Sequence, residues 1–298
     1  PLAVKTVSNT YYEGKRYGDI WGYKTDRLYQ YSDFELGSDG KPQLITLTAD
    51  ESAKYAGKKA YKLKTVDGKK PVYQPYLQNS SNFYFGPGDV KFVDLNGDGE
   101  INNGSNTTDD HGDLSVIGNS TPRYEYGLRL GADWKGFDCS IFFQGVGKRQ
   151  IWGSGFLAIP GYNSSDGAMP QTFAGDFWKD DRTDAFYPRA YNQGGSDNTN
   201  NMQVQSRYLL DMSYMRIKNM TLGYSLPQDL LKKAAISKAR VYIALENFFT
   251  FDHLRDLPID PEAVSGYSMF NSSNYNSGRT GVGTPMFKSV SFGLQLNF

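Results

Sequence analysis

The sequence is poor in the residues that most reactive sites need. One cysteine in 298 residues excludes a disulfide framework and a cysteine-built zinc site. Two histidines leave little room for imidazole-based metal or acid/base chemistry. Neither sign of charge is in excess: 32 Lys+Arg stand against 32 Asp+Glu, for a formal net charge of 0. Nucleic acid, which calls for a basic stripe, is therefore not an expected partner. No run of about 18 apolar residues occurs, which excludes a transmembrane helix. A β-barrel is not excluded, because alternating strands barely register in a hydropathy average. The mean hydropathy of −0.57 says no more than that. Helical periodicity is nearly missing too. One helical turn is expected over 227–235 (PQDLLKKAA), with Pro at an early position. No initiator Met precedes Pro1 and no signal-like segment follows, so a processed chain or a fragment is expected.

What is abundant is aromatic and small. The chain holds 22 Tyr, 18 Phe, 4 Trp and 32 Gly, and long stretches set them in period-two alternation. Tyr124, Tyr126, Leu128, Leu130, Ala132 and Trp134 fall on one face of a strand, with Glu125, Gly127, Arg129, Gly131 and Asp133 on the other. Phe137, Cys139, Ile141 and Phe143 continue the pattern against Asp138, Ser140, Phe142 and Gln144. Lys135-Gly136 between them is a two-residue connection with glycine where a tight hairpin turn needs it. The same grammar runs through 240–249 and 290–298. In 214–226, Met215 and Ile217 lie in one phase and Met220, Leu222, Tyr224 and Leu226 in the other, so a β-bulge is expected near Lys218-Asn219. A less regular strand covers about 19–29. The pattern predicts an all-β fold with roughly six strands.

Short connections alternate with very long polar ones. The turn at 135–136 and the compact 227–238 segment are short. The stretches of about 30–122, 150–206 and 253–286 are rich in Asn, Gly, Ser, Asp and Tyr. Ordinary domains keep most loops to about 4–6 residues. Outer-membrane barrels instead have short turns on one side and long loops outside. A soluble β-sandwich also alternates apolar and polar residues. The order along Tyr124–Trp134 separates the two: aromatic rings sit at its ends and aliphatics in the middle, as in an interfacial girdle. A tilted spanning strand needs about 9–11 residues, which this run supplies. The chain also finishes on Phe298 at the end of an alternating run, which looks like the terminal assembly signal of outer-membrane barrels.

The motifs carry a family resemblance. Gly88-Asp89-Val90-Lys91-Phe92 leads into Asp94-Leu95-Asn96-Gly97-Asp98-Gly99-Glu100-Ile101, followed by Val116–Tyr124, Lys135–Asp138 and Phe142–Gly145. Tyr214–Tyr224 (YMRIKNMTLGY), Leu226-Pro227, Tyr242–Phe251 and Leu257–Glu262 (LPIDPE) follow in order. From about Gly14 onward, this ensemble resembles the SusC/RagA-like TonB-dependent outer-membrane transporters. The resemblance implies roughly a 22-stranded transmembrane antiparallel β-barrel with a plug. Residues 1–298 would form its C-terminal part, with long extracellular loops and with the plug and N-terminal domains absent. It also implies location in the bacterial outer membrane, in contact with its lipid, and TonB-driven import of glycan oligomers or peptides. The implied partners are the rest of the barrel and plug, a SusD-like lipoprotein lid, the TonB complex, and a second copy in a dimer of transporter–lipoprotein pairs. About six strands alone would leave unpaired edges, which do not persist in lipid.

Several groups of residues are candidate sites. Asp94, Asn96 and Asp98 at alternate positions, with glycine at the sixth, follow the opening of a calcium loop. Glu100 would offer its backbone carbonyl, and Asp109, Asp110 or Asp113 could close the shell. Ser105 stands where an EF-hand has Glu, and Asx-rich turns use the same residues, so both readings stay open. No cofactor is otherwise required. The loop aromatics Trp152, Phe156, Tyr162, Phe173, Phe177, Trp178, Phe186 and Tyr187 suit stacking on sugar rings or packing of the loops. Asp138 and Glu125 are placed to pair with Arg129 or Arg240. His111 and His253 read as exposed polar residues, and Cys139 as a small apolar one. No nucleophile-elbow motif accompanies any serine, so an enzyme is not expected. The competing function is a secreted, calcium-dependent carbohydrate-binding or adhesive β-sandwich.

Overall fold

The computed structural model describes residues 6–7, 12–78, 82–153, 171–191, 200–232, 235–262 and 286–298. Its strands, in chain order, are β1 (Asp19–Tyr23), β2 (Thr25–Leu28), β3 (Leu44–Thr46), β4 (Lys59–Tyr61), β5 (Val90–Phe92), β6 (Leu114–Asn119), β7 (Tyr124–Trp134) and β8 (Phe137–Gly147). They continue as β9 (Gln150–Trp152), β10 (Leu209–Asp211), β11 (Tyr214–Ser225), β12 (Lys238–Asp252) and β13 (Ser289–Asn297). A short helix, α1 (Gln228–Leu231), stands inside the predicted 227–235 turn.

The alternating runs assemble into one antiparallel sheet in the order β13-β12-β11-β8-β7. The β7–β8 hairpin closes at Lys135 (φ 48°) and Gly136 (φ 88°). Positive φ at both central residues gives a turn whose twist matches that of the strands it joins. The expected bulge is present. Ile217 pairs with Phe143 and Phe249, whereas Asn219 pairs with Phe142 and Glu246, so the register slips at Lys218 on both sides of β11. Opposite it in β12, Asn247 takes φ 53°. The slip restores a common phase, so Met215, Ile217, Met220 and Leu222 all face one way despite the change of parity.

Residues 19–29 depart from the sequence reading. They break at Lys24 into β1 and β2, which pair with β6 and β5 and take no part in the five-stranded sheet. The long connections also hold structure of their own. The β3–β4 pair, β5, β6 and β9 lie there, with β1, β2 and β10 pairing to the last three from the flanking segments, and most of the buried core lies there too. Tyr29, Phe34, Phe173, Trp178, Met212 and Leu254 are all 2% exposed or less. Apolar side chains drive this packing without strand-like periodicity, while side-chain oxygens supply the turns: Asp89 accepts from the Gly86 amide and Asp33 from that of Gln30. The molecule therefore has a core in its connections and an uncovered sheet beside them.

Candidate functional site

Cross-strand partners on an antiparallel sheet share a face, so the register defines two surfaces. One face is apolar row by row. Leu130, Ile141, Met220, Leu245 and Val290 form its middle row, and Ala132, Cys139, Leu222, Ile243 and Phe292 the next. Trp134, Phe137 and Tyr224 lie at the turn end, with the Phe137 and Tyr224 rings 4.6 Å apart. Tyr126 and Phe251 lie toward the other end. Nothing among the described residues covers this face: Leu128 and Leu130 are each about half exposed, and Phe292 is 82% exposed. An uncovered apolar patch on this scale marks a membrane or protein contact. A sandwich would bury this face against a second sheet.

The opposite face is polar. Ser140, Thr221, Ala244 and Ser291 form one row, and Asp133, Asp138, Gly223, Tyr242 and Gly293 the next. Arg240 donates Nε to Asp138 Oδ1 at 2.8 Å and Nη2 to Oδ2 at 2.5 Å, the pairing the alternation allowed. Arg129 instead lies over the Phe142 ring. The strongest cluster on this face was not legible in the sequence. Arg216 of β11 is 4% exposed and donates to Asp260 (2.7 Å), Glu262 (2.6 Å) and Thr250 Oγ1 (2.8 Å). Lys218 adds a second cation on Glu262 at 2.7 Å. Four charges thereby fasten the Leu257–Glu262 stretch to the polar face of the sheet.

The Asp94–Glu100 loop is tied by its own side chains. Asp94 accepts the amides of Gly97 (2.7 Å) and Gly99 (2.9 Å), Asn96 that of Asp98 (3.0 Å), and Asp98 that of Glu100 (2.9 Å). The Glu100 carboxylate turns away and accepts Ser52 Oγ at 2.5 Å and the Lys54 amide at 3.0 Å. Asp113 is buried beneath the loop and braces it through the amides of Leu95 and Asn102, both at 2.8 Å. Burial holds its carboxyl above the usual carboxylate range. Asp110 binds Ser105 instead. No cluster of three or more His, Cys, Asp or Glu side chains set to hold a metal occurs among the described residues.

The loop aromatics pack. Trp152, Phe173, Trp178 and Tyr187 are buried, and Phe177 and Phe186 are half-buried. Tyr187 stacks on Tyr208 at 5.7 Å, and Phe186 meets both rings edge-on. Phe156 and Tyr162 lie outside the described residues. His111 is not the exposed residue its sequence context suggests: its ring lies 5.4 Å from Trp21, and Nδ1 is enclosed without a hydrogen bond. His253 Nδ1 lies 3.0 Å from Ser213 Oγ. Beneath this packing, buried Asp89 accepts Gly86 N, Asn201 Nδ2 and the Tyr191 hydroxyl. Burial pushes its pKa up to about 6, with those hydrogen bonds offsetting part of the effect.

No family model matches the chain. Sequence similarity does find relatives. The chain is 30% identical over 287 residues to TonB-dependent receptor P3 of Formosa agariphila, which covers 96% of the chain and 22% of that receptor. It is 27% identical over 213 residues to TonB-dependent receptor P26 of the same organism, over 71% of the chain and 20% of the receptor. The chain thus spans about a fifth of the length of the curated relatives it matches. Among solved structures it is similar to the RagAB peptide importer in its "closed-closed" state, with 16% identity and TM-score 0.48, over 98% of this chain and 25% of that one. The "open-open" state matches at 16% identity and TM-score 0.45, over 94% and 22%.

Proposed function

The chain is a SusC/RagA-like TonB-dependent transporter sequence, and on that premise we propose that it builds part of the wall and surface loops of an outer-membrane nutrient importer. In this reading the five-stranded sheet is one arc of a barrel of about 22 strands whose remaining strands pair with the free edges of β7 and β13. The apolar face meets lipid, and the polar face lines the lumen. The loop body stands outside the cell, where a SusD-like lipoprotein closes over it. Glycan oligomers or peptides cross with energy relayed from TonB, and two transporter–lipoprotein pairs form the dimer. The role is transport and not catalysis.

The observation that carries this reading is the apolar face left uncovered on a sheet whose other face is polar. The length fits as well: β7 has 11 residues, which at about 3.4 Å each and a tilt near 40° cross a hydrocarbon layer of about 25–30 Å. Single cysteines placed along 127–132 of the intact receptor, in a cysteine-free background, test it. A lipid-soluble maleimide should label 128, 130 and 132, and a water-soluble one 127, 129 and 131. Equal labelling of both sets from water would sink the assignment.

We also propose the Asp94–Glu100 loop as a Ca²⁺ site. Each carboxylate oxygen has two lone pairs. The hydrogen bonds above leave lone pairs on Asp94 and Asp98, and the Glu100 carbonyl would be a further oxygen donor. Calorimetric titration of the intact receptor should show Ca²⁺ binding that Asp98→Ala removes; unchanged binding would refute the site.

A further inference from the structure

The lysines are unevenly spread. Seven of them stand among the seventeen residues 54–70, with Asp67 the only acid, in a chain of formal net charge 0. The run occupies β4 and the turns on either side of it. Lys62 is neutralised by Glu35 at 2.8 Å, and Lys70 Nζ donates to the Asp50 carbonyl at 3.0 Å. Lys58, Lys59, Lys64 and Lys69 are exposed and have no acidic partner within 4 Å among the described residues. The run forms a basic lobe, on which Glu35 and Glu51 act at Lys62.

A cleft of about 210 Å³ opens into it. Tyr29, Leu63, Pro71 and Val72 give it an apolar floor, while Lys64, Lys69, Lys70 and Lys91 surround it. Two acids line it as well. Asp33 is spent on Arg27, which grips both of its oxygens at 2.7 and 2.5 Å. Asp67 sits in the tight turn that bridges Val66 to Lys69, with φ 52° at Asp67 and 72° at Gly68. That turn fixes where Lys69 and Lys70 stand relative to Lys64. Lys91 is shared with Asp26 at 2.9 Å.

Cations this close lie within one another's field, since screening acts over about 8 Å at physiological salt. A ligand that brings several negative charges relieves their repulsion. The kind of cation matters too. The Arg27 fork is used up, and what remains are ammonium point charges with rotatable donors. Point charges gain no geometric fit from a planar carboxylate, whereas a tetrahedral oxyanion turns oxygens in several directions and can accept from more than one ammonium group at once. The cleft is smaller than the roughly 300–1,000 Å³ of a small-molecule site, so it suits one unit of a repeating chain.

We propose that this lysine-rimmed cleft binds a unit of a glycan carrying tetrahedral oxyanion esters, and so biases the importer toward polyanionic polysaccharides. The inference rests on the import reading above and narrows its substrate class.

The test uses the intact receptor in outer-membrane vesicles, with dextran, carboxymethyl-dextran, dextran sulfate, phosphorylated dextran and poly-glutamate of matched length as probes. Dextran sulfate or phosphorylated dextran should bind at least about tenfold more tightly than dextran or either carboxylate polymer. Which of the two binds more tightly separates a sulfate from a phosphate source. Binding should weaken steeply as salt rises. The Lys64→Glu/Lys69→Glu double variant should lose about tenfold or more, and the milder Lys64→Gln/Lys69→Gln variant should lose less. Equal binding of neutral dextran, tighter binding of poly-glutamate, or an unchanged affinity in the Glu variant at normal receptor abundance would overturn the proposal. Failure of the lipid-face labelling above would instead strike the import reading, so the two failures are distinguishable.

Discussion

Leu130 offers the sharpest energetic test of the membrane face. It is the seventh of the 11 residues of β7, lies in the middle row with Ile141, Met220, Leu245 and Val290, and is 51% exposed. An arginine on the lipid face at mid-membrane costs about 2–4 kcal/mol, falling to about 0–1 kcal/mol near the interface. Leu130→Arg should therefore lower the folded-to-unfolded ratio about 30- to 900-fold. Trp134→Arg, next to the turn, should cost no more than about 1 kcal/mol beyond the loss of the ring's own contacts. Thr221→Arg places the same side chain on the opposite face, in a row of small residues with Ser140, Ala244 and Ser291, which lines the lumen in the proposed reading. It should stay within about 0.5 kcal/mol of wild type. The assay is the urea midpoint of the intact receptor refolded into lipid vesicles, with the heat-modifiable folded fraction in cell envelopes as a second readout. If Leu130→Arg is no worse than Thr221→Arg, the lipid-facing assignment is wrong.

Three further outcomes are expected. Arg216→Met leaves Asp260 and Glu262 without their buried cation and should cost about 3–5 kcal/mol in the urea midpoint; neutralising both acids as well should recover part of it. Gly88 has φ 89°, and a Cβ there would lie 2.5 Å from the Trp178 ring, so Gly88→Ala should expose the loop body to protease in the intact receptor while leaving the sheet folded. Asp89 titrates near 6 when folded against about 3.8 when unfolded, so the native state holds its proton more tightly. Its contribution is present below the unfolded value and is lost as pH rises through about 6, a change of about 3 kcal/mol. Loop-body resistance to protease should fall across that window, and Asp89→Asn should flatten the dependence.

The elements that could be predicted are those decided by neighbours along the chain. The Lys135-Gly136 turn, the alternation on either side of it and the slip at Lys218 all depend on local backbone geometry, and each appears where expected. Residues 19–29 could not be placed, because a strand's partner is chosen by tertiary packing and the alternation there is weak. The core within the connections was hidden for a similar reason: Phe34, Trp178 and Leu254 belong to one buried cluster without any shared period. The Arg216 cluster joins residues 44 and 46 apart in sequence, so YMRIKN and LPIDPE could be noticed separately but not joined. The Asp94 loop was recognisable as an oxygen-rich turn, and its internal hydrogen bonds follow from the Asx spacing alone.

The two-stranded β9–β10 ladder lies immediately beyond the ends of β8 and β11, with Gln150 paired to Asp211 and Trp152 to Leu209. Everything from 153 to 208 therefore leaves and returns through a neck already closed by its own pairing. Lengthening or replacing that stretch need not shift the β8–β11 register by even one residue. Such an arrangement uncouples length from register: the outer segment can gain or lose residues while the strands below keep an unchanged frame, and Phe173, Trp178 and Tyr187 still hold its core in one cluster with Tyr29 and Leu254.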